Sequence, residues 1–142
     1  MSDLYEADLY AWTKAQADAL RRRAANEVDW DNLAEEIESL GRSEKREVAS
    51  RLEVLLIHLL KWKYQPQQQC TTWRASIRDA RDELERVLED NPSLRGLPAE
   101  RLAKAYARAR VKALEETGLY RLPEACPWTI DQVTDAEFLP MD

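Results

Sequence analysis

Glycine is nearly missing from this sequence, with 3 residues in 142. Valine, isoleucine and threonine are sparse beside leucine, alanine, glutamate and arginine. These shortages exclude a collagen, a β-sandwich and a glycine-rich disordered chain. Cysteine is scarce as well. Cys70 and Cys126 lie far apart and outside any CxxC pattern, so nothing suggests a disulfide framework or a zinc site. Two free thiols in a reducing cytosol are expected, with a lone disulfide as the alternative. There is one histidine, His58, and no cluster supplies fellow ligands, so no metal site is assigned to it. Long apolar runs are missing too. The longest, Val54 to Leu60, is interrupted by His58 and falls far short of the ~20 residues of a membrane span. Residues Met1 to Glu6 are acidic and lack the basic and apolar regions of a secretion signal. A cytoplasmic, soluble protein with no membrane segment is expected. No Gly-rich phosphate loop, nucleophile elbow or HExxH occurs, and no cofactor is named by any motif.

Charge is what the chain has in abundance. Charged residues make up 34% against an ordinary share of about 25%. The net charge is −6, which disfavours bulk nucleic-acid binding. With 142 residues, a single domain spanning residues 1–142 is expected, large enough to bury a real core. The composition favours an all-α fold: a bundle of about four main helices, one of them long, with charged outer faces.

The pattern places the first helix from Asp3 or Asp8 to about Ala24, with Leu9, Trp12 and Leu20 on one face. Asp29 or Asp31 is placed to cap the next. That second helix, Asn32 to Tyr64, carries Leu33, Ile37, Leu40, Val48, Leu52, Leu55, Leu59 and Trp62 at steps of three and four. Gly41 on its apolar side predicts a break, a kink or a close neighbouring backbone. Pro66 ends it. A third helix, capped by Thr71 or Thr72, buries Trp73, Ile77, Ala80, Leu84, Val87 and Leu88 and stops at Asn91-Pro92. A fourth starts at Pro98, buries Leu102, Tyr106, Ala109 and Ala113, and ends at Gly118. The tail, residues 119–142, is too apolar to be free and is expected to pack across the bundle. Within it Thr129 and Gln132 fit a capping box.

Three groups of residues could carry chemistry. Glu44, Glu47, Arg51 and His58 fall along one seam of the long helix, Glu44 within about 20° of Leu55. They could bind an anion or metal or move a proton. The more ordinary reading, an ion-pair network that fixes helix register, is favoured. Glu35, Glu36 and Glu38 resemble the E-E-x-x-E or D motif that holds magnesium in all-helical nucleoside-triphosphate pyrophosphohydrolases. Here Ser39 stands in the final acidic position, and Asp79 and Asp82 point away from the apolar face of their helix. A solvated face with pairs such as Glu38–Arg42 is favoured. Arg101, Lys104, Arg108 and Lys112 form a basic stripe suited to phosphate or an acidic partner, without the interleaved aromatics of single-strand binding. A solvated face, or pairing with acidic faces of neighbouring helices, is the favoured account. Trp62, Trp73 and Trp128 are expected in the core, with Lys61 and Lys63 lying around Trp62. A ligand pocket, where there is one, is expected near His58 to Pro66.

Several segments together resemble the bacterial family called domain of unknown function 29. They are Asn32 to Gly41, His58 to Trp62, Tyr64-Gln65-Pro66, Asn91 to Leu94, Glu116-Thr117-Gly118 and Cys126-Pro127-Trp128, with Tyr5, Asp8, Tyr10 and Trp12 at the start. The resemblance covers nearly the whole chain. It implies a small all-helical bacterial protein and carries no catalytic residues with it. The function expected first is a non-enzymatic interaction module, with a protein partner or self-association. The alternative is a metal- or phosphate-dependent enzyme acting on nucleotides, using Glu35, Glu36, Glu44, Arg51 and His58. Nucleic-acid binding through the basic stripe is the weakest of the three.

Overall fold

Leucine and alanine at helical spacing, with glycine and proline confined to a few points, leave the chain one way to satisfy its backbone. Every regular element is helical in the structure, a computed structural model that describes residues 3–141. Met1, Ser2 and Asp142 lie outside the described residues, so the tail is followed to Met141. The helices are α1 (Asp3–Ala7), α2 (Leu9–Arg21), α3 (Trp30–Tyr64), α4 (Thr71–Asp90), α5 (Leu97–Thr117) and α6 (Ile130–Thr134). Short 3₁₀ turns cover Ala25–Glu27, Pro66–Gln68 and Pro92–Leu94. The fold is all-α with four main helices, α2 to α5. No helix among the described residues is long and apolar enough to cross a membrane. The chain divides into two compact units, Met1–Ser43 and Glu44–Asp142.

In the first unit the Asp8 carboxylate accepts the Ala11 N–H at 3.0 Å and starts α2. The buried face of α2 is Trp12, Gln16 and Ala19. Leu9 and Leu20 are exposed, which corrects the expected Leu9–Trp12–Leu20 face. Both lie some 60–80° round the helix from Trp12, outside the covered arc. Asp29 ties the unit together. Its carboxylate accepts from Trp12 Nε1 at 3.1 Å and from the Asn32 amide at 2.9 Å. Its own N–H donates to Gln16 Oε1 at 2.7 Å. The Tyr5 ring meets Trp12 edge-on at 4.8 Å, and its hydroxyl donates to Glu36. That bond to a carboxylate pushes the phenol up to about 12.

Along α3 the apolar stripe is covered unevenly. Leu33 is half-buried, and Ile37 and Leu40 are exposed. From Val48 onward the stripe is closed, with Leu52, Leu55, Leu56, Leu59 and Leu60 essentially inaccessible. The helix continues through Gly41, and nothing beyond its chain neighbours and the adjoining helix backbone lies within 4 Å of where a Cβ there would sit. Neither a break nor a close neighbouring backbone explains this glycine.

In the second unit α3 packs against α4 and α5. Ile77 and Ala80 of α4 and Ala105, Tyr106, Ala109 and Ala113 of α5 share one core with the α3 leucines. Small side chains on α5 let its backbone approach, and burying each leucine contributes about 1.5–3 kcal/mol. The buried face of α4 is Ile77, Ala80, Arg81, Leu84 and Leu88. Cys70, rather than Thr71 or Thr72, occupies the N-cap of α4 and makes no side-chain capping bond. Trp128 is buried as expected, whereas Trp62 and Trp73 are only half-buried. Lys61 lies over the Trp73 ring at 5.9 Å and pairs with Glu116 at 2.8 Å. Both cysteines are free.

Gly118 ends α5 at φ 72°, the left-handed cap. The tail then turns back. Leu122, Trp128 and Val133 enter the core, and Phe138 and Leu139 pack against it. The Tyr106 hydroxyl donates to the Pro123 carbonyl at 2.6 Å. The capping box at Thr129 and Gln132 is formed and starts α6.

Two outcomes follow. Gly41→Ala should stabilise the protein by about 0.5–1 kcal/mol in denaturant titration, because a solvent-facing helix interior gains from the methyl. A loss would reveal a contact at Gly41. The bonds from Asn32, and then Trp12, hold the Asp29 carboxyl below its usual value. A folded pKa below the unfolded one gives stability that is present above the unfolded value, ~3.9. That stability is lost as pH falls through the folded value. The Trp12 indole N–H should therefore lose exchange protection below about pH 4. Asp29→Asn should flatten that acid dependence.

Candidate functional site

The seam on α3 is drawn apart by its neighbours. Arg51 Nε lies 2.7 Å from a Glu47 oxygen one turn earlier and 2.7 Å from Glu83 Oε2 on α4. These carboxylates, Glu47 first, raise the Arg51 guanidinium above its ordinary value. Glu44 accepts from the Asn91 amide at the end of α4, at 3.1 Å. His58 Nδ1 lies 2.9 Å from the Val54 carbonyl. A carbonyl only accepts, so Nδ1 carries the proton and Nε2 is left as the acceptor in the neutral ring. His58 also stands seven residues from Arg51, about 10 Å along the axis. Arg51 thus joins two carboxylates and two helices, while Glu44 and His58 bond elsewhere.

The acidic group in the first unit is likewise divided. Glu36 accepts from Tyr5, and Glu35 pairs with Arg42 at 3.2 Å. The anticipated Glu38–Arg42 pair is replaced by Glu35–Arg42, two turns apart on the same side of the helix. Among the described residues no group of three or more His, Cys, Asp or Glu is placed to hold a metal ion.

The basic stripe on α5 faces a carboxylate. Glu53 of α3 is only 13% exposed, and Lys112 Nζ lies 2.5 Å from its Oε1. Arg101, Lys104 and Arg108 line a small cleft beside Glu53. Arg46, Arg108 and Lys112 line the adjoining hollow of about 270 Å³. One buried carboxylate among several cations is an electrostatic anchor between α3 and α5 and leaves positive charge at the surface.

Sequence reasoning passed over Glu53, Glu83 and, above all, Arg81. Arg81 is 7% exposed. Its Nε donates to the Val133 carbonyl at 2.9 Å, while Nη2 is buried without a partner among the described residues. Burial pushes its guanidinium below the usual value, and Asp135 opposes that shift. The signal was available: Arg81 comes four residues after Ile77 and three before Leu84, inside the apolar arc.

The family model described as "Domain of unknown function DUF29" matches residues 4–139. The chain belongs to this family. No curated protein and no solved structure matches it. In this DUF29 chain several family-like segments mark the ends of helices. Tyr64 closes α3, Asn91 caps α4, and Gly118 caps α5. Others supply buried surface, as Leu59, Leu60 and Trp128 do. A structural reason therefore exists for these residues.

The Arg51–Glu83 bridge is half-exposed, at 37% and 35%. A double-mutant cycle with Arg51→Met and Glu83→Gln should give a coupling of at most about 1 kcal/mol, shrinking with added salt. A coupling several times larger would assign the bridge a role beyond tying α3 to α4.

Proposed function

We propose that this DUF29 chain is a non-enzymatic protein-interaction module that docks a basic amphipathic helix of a protein partner. The observation that carries this reading is the uncovered apolar stripe on the first half of α3. Trp30, Ile37 and Leu40 are 59%, 59% and 68% exposed. With half-buried Leu33 they repeat at steps of three and four along one face. Exposed apolar surface rimmed by charge is the usual mark of a docking site. The rim here is net acidic: Asp31, Glu35, Glu36 and Glu38 fall between Trp30 and Gly41, and of these Glu35 is paired with Arg42. An apolar helix flanked by lysine or arginine complements both features. An isologous pair of these stripes would set acid against acid.

The alternative, a metal- or phosphate-dependent enzyme acting on nucleotides, asks Glu44, Arg51 and His58 to act together. Each already bonds to a different structural group, which supports the interaction reading instead.

The test uses labelled synthetic helices in fluorescence anisotropy. A leucine/lysine amphipathic peptide should bind at least tenfold more tightly than its leucine/glutamate counterpart. Ile37→Ser with Leu40→Ser keeps every charge and should weaken that binding at least tenfold, with helicity unchanged. Equal binding of the two peptides, or binding untouched by the double substitution, would overturn the reading. Sedimentation of the peptide-free chain as a dimer that the double substitution dissociates would overturn it in favour of self-association.

A further inference from the structure

In the second unit, α4 and the segment after α6 border a half-open cavity of about 180 Å³. Arg74, Ile77, Arg78 and Arg81 line it from α4, and Ala136, Glu137 and Leu139 line it from the tail. The α4 residues fall at steps of three, one and three, so one helical face presents three guanidiniums to one space. Arg81 is the unusual member. It is more than nine-tenths buried, and a bond from its Nε to the Val133 carbonyl orients the fork. The terminal Nη2 is buried and has no acceptor among the described residues. Buried guanidiniums are ordinarily paired, and a planar fork of donors matches two oxygens of one acid group.

The neighbouring carboxylates do not complete it. Asp135 accepts the backbone N–H of Glu137 at 2.9 Å, which turns it towards its own turn. Glu137 lines the cavity, and no ion pair joins it to these arginines among the described residues. Arg78 lies 3.7 Å from Asp79, and both are largely exposed. Three guanidiniums therefore outnumber the one carboxylate that lines the space.

We propose that this cavity binds a small oxyanion, the phosphate or carboxylate group of a small molecule, with Arg81 as the buried donor. Arg74 and Arg78 supply the remaining charge at the mouth. Because Val133 and Leu139 flank the site, occupancy fastens the tail to α4. This site lies in the second unit and is independent of the apolar stripe on α3.

The experiment follows the side-chain Nε–H resonance of Arg81 by ¹⁵N NMR while the full chain is titrated with inorganic phosphate, acetate or chloride at matched ionic strength. A saturable shift with phosphate, with acetate or with both, beyond any with chloride, is expected. Phosphate alone would assign the ligand to phosphate esters, and acetate would admit carboxylates. Arg74→Gln with Arg78→Gln, two exposed changes, should weaken binding at least tenfold without altering the fold. Arg81→Met should abolish the thermal stabilisation that phosphate or acetate gives. Were that variant unable to fold, the exposed pair still decides. No shift beyond that with chloride, or affinity unaltered in the exposed double variant, would overturn the proposal.

Discussion

The second half of α3 is the constraint on which the second unit rests. Leu52, Leu55, Leu56, Leu59 and Leu60 are inaccessible, and these positions span more than one stripe of the helix. A helix apolar over so wide an arc must be covered from several sides. The alanines of α5 bring one backbone close, Ile77 and Ala80 of α4 fill a second side, and Trp128 and Val133 of the tail share the same core. The charged residues then follow a simple division. Those on the rim of the core, such as Arg51, Glu83, Lys61 and Glu116, pair between helices.

Two charges break that division. Glu53 and Arg81 both lie inward, and the Arg81 Nη2 has no hydrogen-bond partner among the described residues. Burying charge with incomplete compensation costs several kcal/mol in general, so such residues work against the packing of their surroundings. Glu53 has Lys112 to offset its charge, whereas Arg81 has a backbone carbonyl and a more distant carboxylate. The asymmetry between the two is why the cavity beside Arg81, rather than the cleft beside Glu53, reads as a place for a ligand.

The main helices were legible because their punctuation is local. Asn91-Pro92, Gly118 and the Thr129–Gln132 box act within a turn of where they stand. Coverage was not legible. Periodicity says which residues share a face and is silent on whether anything lies against it, so Ile37 and Leu40 looked like Leu55 and Leu59. Spacing put Glu44, Glu47, Arg51 and His58 along one seam of α3. Its partners Glu83 and Asn91 come from α4, and the register of α4 on α3 is set by packing over the whole interface. Arg81 was overlooked because a charged residue inside an apolar arc is easily assigned to solvent.

The placement of the tail sets an order on how the molecule is made. Leu122, Trp128 and Val133 sit in the same core as Leu55 and Leu59, although more than sixty positions separate them. During synthesis the leucines of α3 emerge first and wait for surfaces not yet translated. The core cannot close until the segment around Val133 has left the ribosome. Until then that length of nascent chain exposes a broad leucine face, the kind of surface that chaperones hold.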